Sequence, residues 1–422
     1  MKATGVAAVE KAGVAIVIVL GVAIAVVRLT RPRAVAPRAP ETLQANVPTP
    51  SAKPVLAARG PVPASAPVPT APARTAHGDR HRTHRAKGRG PARVTVGWKT
   101  QVGGAIQAQV TVSPDGATLY AASLGGDLTA LARDTGAIRW KLALGDRAYG
   151  APCVADDGTI YVGSDAKRFY AVTPAGAVKW KLELDDEADT AALLTTDGKI
   201  VFTAGRTLYA VRSGGDVAWR FQAKKKIFTA PAIADDGTIA FGAQDHRAYR
   251  VTSQGVLASV TDLGADVDGS PAIGDDGAIF FGTDEDRVVR LGDAGEVVWR
   301  APVGGFVRGG LSVARDGDVL AGVYGPTPRA VRLDAHDGGI VGSHFVQGTG
   351  AREFGVHGGA LEDDDGTLYF GAQDDAAYAV EKTGAVRWRF VTGDDVDAPL
   401  TLLADGALVV PSDDGIVYLL SP

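Results

Sequence analysis

The 422 residues carry 44 Lys and Arg against 48 Asp and Glu, with 54 Gly, 23 Pro and one Cys. Glycine and proline at that density leave little room for a helical solenoid, and the lone Cys153 excludes an internal disulfide. The net charge of −4 hides a division: residues 1–93 hold 15 basic against 3 acidic residues and the remainder 29 against 45, so the larger part is a poor platform for nucleic acid.

In chain order, residues 1–11 are a short N-terminal segment. Ala12 to Val27 is then sixteen residues without a charge, with Lys11 before it and Arg28 after it. The spacing predicts a single-pass transmembrane anchor over residues 12–30, extended at its ends by snorkelling Lys11 and Arg28. A cleaved signal peptide is the alternative, with Ala34-Val35-Ala36 as its site. Arg28, Arg31 and Arg33 stand between that site and the apolar run, which favours the anchor. By the positive-inside rule the same arginines favour a cytoplasmic location for the residues C-terminal to them.

Residues 31–93 read as a disordered linker. Prolines at 32, 37, 40, 48, 50, 54, 61, 63, 67, 69 and 72 favour extended polyproline II, a semi-rigid spacer of about 3 Å per residue. Its end is a basic cluster: His77, Arg80, His81, Arg82, His84, Arg85, Lys87, Arg89 and Arg93. Two readings stand side by side: a polyanion contact, to anionic lipid or an acidic envelope polymer, and a solvated run attracted to the acidic region beside it. The three histidines lack the carboxylate or cysteine frame of a metal site.

Residues 94–422 repeat one phrase eight times. Asp-Gly turns recur at Asp115, Asp157, Asp197, Asp236, Asp276, Asp316, Asp365 and Asp405, near forty residues apart. Each unit holds short runs rich in β-branched and aromatic residues between turn residues, as in Gly158-Thr-Ile-Tyr-Val-Gly163, Arg168-Phe-Tyr-Ala-Val172 and Ala177-Val-Lys-Trp-Lys-Leu182. Four strands per unit at this period are propeller blades. Trp140, Trp180, Trp219, Trp299 and Trp388 each follow a Gly by four places, the position for an indole wedged between blades; two units carry Ser259 and Ser343 instead. Trp98 precedes the first turn, and the eighth unit ends before its own Trp strand, so Val94 to Thr100 is expected to pair with the C-terminal blade. The predicted fold is an all-β, eight-bladed propeller of four-stranded antiparallel blades, closed by strands from both ends of residues 94–422 and monomeric.

Ala130-Leu-Ala-Arg-Asp-Thr-Gly136-Ala-Ile-Arg-Trp140 and Ala379-Val-Glu-Lys-Thr-Gly384-Ala-Val-Arg-Trp388 resemble the tryptophan-docking repeat of pyrroloquinoline-quinone-like (PQQ-like) propellers. The resemblance spans residues 94–422 and implies export, hence a periplasmic propeller held by one pass in the inner membrane. Quinone-dependent enzymes of that family are similar to one another in an adjacent-cysteine disulfide and a carboxylate-held calcium; one Cys removes the disulfide, so the resemblance is read as one of fold, with no cofactor and no metal expected. The chain has no Gly-x-Ser-x-Gly, His-Glu-x-x-His or Gly-Lys-Thr signature. Asp363-Asp364-Asp365-Gly366 and Asp394-Asp395-Val396-Asp397 invite calcium, but Asp-Gly is first of all turn chemistry.

Aligning the loops that lead into each innermost strand brings Gln107, Tyr149, Asp189, Phe228, Asp268, Arg308, His357 and Asp397 to one position, predicted to ring a mouth of the central channel. Acids, an Arg, a His and two aromatics there suit a peptide segment or a small polar ligand; water-facing loops that vary freely would give the same mixture. The sixth-to-seventh interval is forty-nine residues, and its insert carries Arg352 and Phe354, the residue types of a protein-contact hot spot. The sequence thus favours a membrane-tethered, non-catalytic scaffold for envelope proteins, similar to propellers of outer-membrane protein assembly. A quinone-dependent dehydrogenase-like or small-ligand-sensing propeller is the alternative.

Overall fold

The computed structural model describes residues 74–346 and 354–422. The anchor expected at 12–30, most of the linker and Arg352 lie outside them. Among the described residues no helix is long and apolar enough to cross a membrane.

Eight four-stranded antiparallel sheets follow one another along the chain. Blade 1 consists of Thr111–Val112, Thr118–Ala122, Asp127–Ala132 and Ile138–Ala143, running from the channel outward. Blades 2 to 7 repeat this order; blade 8 takes Thr401–Leu402, Leu408–Pro411 and Ile416–Leu420 from the C-terminal end and Val96–Gln101 as its outer strand. Trp98 lies opposite Leu419 and Thr100 opposite Val417, so the ring closes as expected. Second strands are buried along their whole length because both faces meet a neighbouring blade, whereas outer strands alternate exposed and half-buried residues.

Each tryptophan bridges a joint. Its Nε1 donates to a backbone carbonyl of the next blade, as from Trp140 to Pro174 (2.9 Å) and from Trp180 to Ser213 (2.7 Å), and in the same way from Trp98, Trp219 and Trp299. Trp388 donates to Pro91 (2.7 Å), which supplies the carbonyl that blade 8 lacks. Beneath the other five rings the turn glycine is obligatory: a Cβ on Gly176 would lie 2.7 Å from the Trp140 indole, and its φ of 85° is left-handed.

Two joints differ. At blade 4, Ser259 reaches toward Gly295, and Arg250 donates to the Asp293 carbonyl where an indole N–H would stand. At blade 6 the strand register corrects the sequence alignment: Gly342 lies opposite Arg332 as Trp299 lies opposite Arg290, so Gly342, and not Ser343, holds the tryptophan position. The alignment slipped because the insert's neighbour is a Gly-Gly pair, of which Gly338 (φ 77°) is the true turn residue. Nothing lies within 4 Å of a Cβ built on Gly384, and the joint encloses a cavity of about 100 Å³.

Residues 74–93 correct the expectation of a linker. They pack against the ends of the innermost strands on the Asp-Gly side and seal the channel there. Carbonyls of Arg74, Arg80, His81, Thr83 and His84 accept from the N–H groups of Val154, Ile233, Ile273, Val313 and Glu362 at 2.7–3.1 Å, one edge amide each from blades 2, 4, 5, 6 and 7. Inner edges that would otherwise be bare are thereby satisfied. Arg74 pairs with Asp156, Arg80 with Asp235, Arg85 with Asp275 and Arg89 with Asp365. Three of these partners are the first carboxylates of Asp-Asp-Gly turns. The segment is drawn in by the acidic repeats, and four of its charges meet this chain's own aspartates.

Candidate functional site: a channel mouth over a sealed floor

The sealing segment turns the channel into a cup. Its floor is Ala76, His77 and Arg82; its wall at that depth is Gln109, Ala151, Ala191, Ala230, Ser270 and Gly310; its rim stands two residues earlier in each blade. Apart from Gln109, the wall residues are small because the floor needs the space: Ala76 packs on Ala151, Ala191 and Ala230, and a Cβ on Gly310 would lie 2.4 Å from the His77 ring.

All eight residues aligned from the sequence, Gln107, Tyr149, Asp189, Phe228, Asp268, Arg308, His357 and Asp397, line this one cavity of about 510 Å³. Most of the rim's cations are held by neighbours. Arg147 pairs with Asp165 (3.2 Å), Lys226 with Glu187 (3.0 Å) and Arg308 with Asp284 (3.1 Å), while Arg147 and Lys226 also lie 5.8 Å from the centres of the Tyr149 and Phe228 rings. His357 sits edge-on to Tyr324 at 5.6 Å. Gln107 and Gln373 donate to one oxygen of Asp397 at 3.4 and 3.3 Å, and Gln244 to one of Asp268 at 3.4 Å. The other carboxylate oxygens of Asp268 and Asp397 are buried without a partner, and the buried Asp189 carboxyl faces that of Asp165.

Burial, with Asp165 and Glu187 adding repulsion that Lys226 only partly offsets, raises the Asp189 carboxyl to about 7; burial, with Asp284 beside it, raises Asp268 to about 6. Below pH 7 the folded chain therefore keeps a proton on Asp189 that the unfolded chain releases near 3.8, so this residue's contribution to stability is lost as pH rises through 7. Asp189→Asn is expected to melt near the parent at pH 5 and above it at pH 8, by about 1–3 kcal/mol, the cost of a poorly satisfied buried group. Melting followed by circular dichroism at both pH values checks this; an equal gap at both would contradict it.

Sequence reasoning missed the floor. His77, Arg82 and His84 are fully buried and all three are left-handed non-glycine residues, with φ of 55–60°. The His77 and His84 rings stack at 4.6 Å, and their nitrogens meet the carbonyls of Leu311, Gly359 and Leu400. Burial lowers His84 to about 4 and His77 well below its usual range, so both are neutral at physiological pH. Of the insert pair only Phe354 is among the described residues, and it is half-buried against the core of the blade 6–7 joint.

In sequence, the family described as outer membrane protein assembly factor BamB matches residues 91–196 and 168–256, the same repeats that form blades 1 to 3 and much of blade 4. The chain is a PQQ-like β-propeller. No curated protein matches this PQQ-like propeller in sequence. In structure it is similar to BamB from Moraxella catarrhalis (TM-score 0.65, 16% identity, 78% of this chain and 100% of that one). It is also similar to a europium-containing methanol dehydrogenase (0.68, 11%, 81% and 89%) and to Sqt1 from Saccharomyces cerevisiae (0.65, 10%, 78% and 100%). At these identities the likeness is one of fold.

The residues of this PQQ-like propeller do not fit the quinone support that the family's enzymes carry. Cys153 is buried in the innermost strand of blade 2 beside Thr75 of the sealing segment, its thiol pushed up to about 12 by burial. It has no cysteine neighbour in sequence. Asp375, Asp394 and Asp395 bring carboxylate oxygens within 4.8 Å of one another, a grouping that solvated acids adopt without an ion.

Proposed function

We propose that this propeller is a non-catalytic binding module of the cell envelope that receives part of a partner polypeptide in the mouth of its sealed channel. One observation carries the reading: a cup open at one end only, rimmed by aromatic, acidic and basic side chains whose orientation is set by ion pairs and glutamine contacts. A blind cup admits the end or a loop of a ligand and suits recognition. The match to the BamB family supports a scaffold role among envelope proteins. A single-pass inner-membrane anchor at residues 12–30 and a periplasmic propeller complete the proposal; the insert around Arg352 is a second contact in it.

A photo-crosslinking side chain at Phe228, on the rim and 39% exposed, is expected to capture a polypeptide in cells, while the same group at Val256, on the outside and 61% exposed, is not. Protease added to spheroplasts should then reach the propeller. Capture from Val256 alone would overturn the mouth as the contact. The methanol dehydrogenase likeness favours a second reading, quinone binding: stoichiometric uptake of pyrroloquinoline quinone with calcium, together with dye-linked alcohol oxidation, would establish that reading over the first.

A further inference from the structure

Arg82 is the anomaly of the cup. It is 3% exposed, and its Nε and Nη1 are buried without a hydrogen-bond partner. Arg74, Arg80, Arg85 and Arg89 of the same segment each take an aspartate; Arg82 takes none. Asp79, the carboxylate whose field reaches it, is engaged by the N–H and hydroxyl of Thr83. Its backbone is left-handed at φ 60°. A bulky residue in that conformation, with a desolvated and unpaired charge, combines two costs that proteins accept where a site requires them.

The opposite charge lies nearer the mouth. Asp268 and Asp397 each keep one buried oxygen without a partner, and Asp189 has only another carboxyl, that of Asp165, to share a proton with. Asp189, Asp268 and Asp397 precede by two residues Ala191, Ser270 and Pro399, which surround the floor. Two residues of extended chain separate the levels by about 7 Å. An unpaired cation below and a cluster of crowded carboxyls above, which a bound cation would relieve, call for a ligand with the reverse polarity. The α-carboxylate of arginine or lysine lies roughly 6–7 Å from its side-chain cation by ordinary bond lengths.

We propose that the cup binds a basic amino-acid terminus, its free carboxylate on Arg82 and its side-chain guanidinium or ammonium among Asp189, Asp268 and Asp397. This rests on the mouth being the contact of the binding module. The same chemistry occurs in a free basic amino acid and in a polypeptide ending in one.

The test is calorimetric titration of the full chain with acetyl-Gly-Gly-Arg as free acid, the same peptide amidated, acetyl-Gly-Gly-Ala as free acid, and free L-arginine. The free acid ending in Arg is expected to bind, with losses of at least about tenfold on amidation and on replacing Arg by Ala, the scale of a charge-assisted hydrogen bond. Arg82→Gln should bring the acid down to the affinity of the amide and leave the amide unchanged. Asp189→Asn with Asp268→Asn should weaken acid and amide alike. Free arginine binding within a few-fold of the peptide supports an amino-acid ligand, and binding of the peptide alone supports a chain end. Equal affinities of acid and amide, a comparison that needs no variant and hence no check on folding, would overturn the proposal, as would absence of binding by all four at millimolar concentration. Should the rim crosslinker still capture a polypeptide in either case, the mouth reading survives and only the terminus assignment fails.

Discussion

A chain beginning at Pro91 is expected to melt about 10 °C below the parent. The missing segment satisfies five edge amides, one on each of five blades, and fills the space between them with His77, Arg82 and His84. At about 0.5–1.5 kcal/mol for each hydrogen bond the loss is on the order of 5 kcal/mol, and a protein of this size moves by roughly 2 °C per kcal/mol. Pro91 is retained so that Trp388 keeps its carbonyl. A synthetic peptide of residues 74–90 should restore the midpoint when added back, less effectively at high salt, because its arginines meet aspartates that are largely exposed. An unchanged midpoint in the truncated chain would show that the ring holds itself without this segment.

Gly342→Trp is expected to raise stability by about 2–3 kcal/mol, a shift of roughly 5 °C. The joint between blades 6 and 7 retains the parts of a tryptophan socket. The turn glycine Gly384 lies with nothing over it, a cavity of about 100 Å³ stands beside it, and a Cβ on Gly342 would meet only Arg332 Cβ, at 3.6 Å. Gly342 has no positive φ to lose, so the change also reduces the entropy of the unfolded chain. An indole there would direct its N–H at the Lys382 carbonyl, by analogy with Trp140 and Pro174. Ser343→Trp, one residue further on, points to the other face of the strand and should destabilise or do nothing. If the two variants behave alike, the register assigned to this strand is wrong.

The ring was legible because its signals are local and repeated. An Asp-Gly turn marks each blade, a tryptophan marks six of the eight joints, and Trp98 without a unit of its own announces closure. The rim was legible for the same reason: a regular array lets eight loops be aligned by counting, and all eight aligned residues line one cavity. Counting fails where the array does. Beside the insert, Gly338 and Gly339 offer two registers, and only the left-handed φ of Gly338 separates them. The floor was illegible for a deeper reason. A basic, glycine-containing run with no apolar periodicity reads as solvated chain, since its order comes from pairing with carboxylates more than eighty residues away, such as Arg74 with Asp156. Charge asymmetry between the two parts hinted at the attraction, but nothing local told which arginine would be left over.

The sealing segment also gives the molecule a polarity. Arg74 meets the blades at Val154 and Asp156, beside an Asp-Gly turn, whereas Tyr149 and the rest of the rim stand at the other end of the same strands. Arg74 therefore belongs to the closed end of the ring and visitors to the open one. A partner seated in the cup need not displace the backbone contacts that hold the floor, so closure of one end and recognition at the other can be altered one at a time.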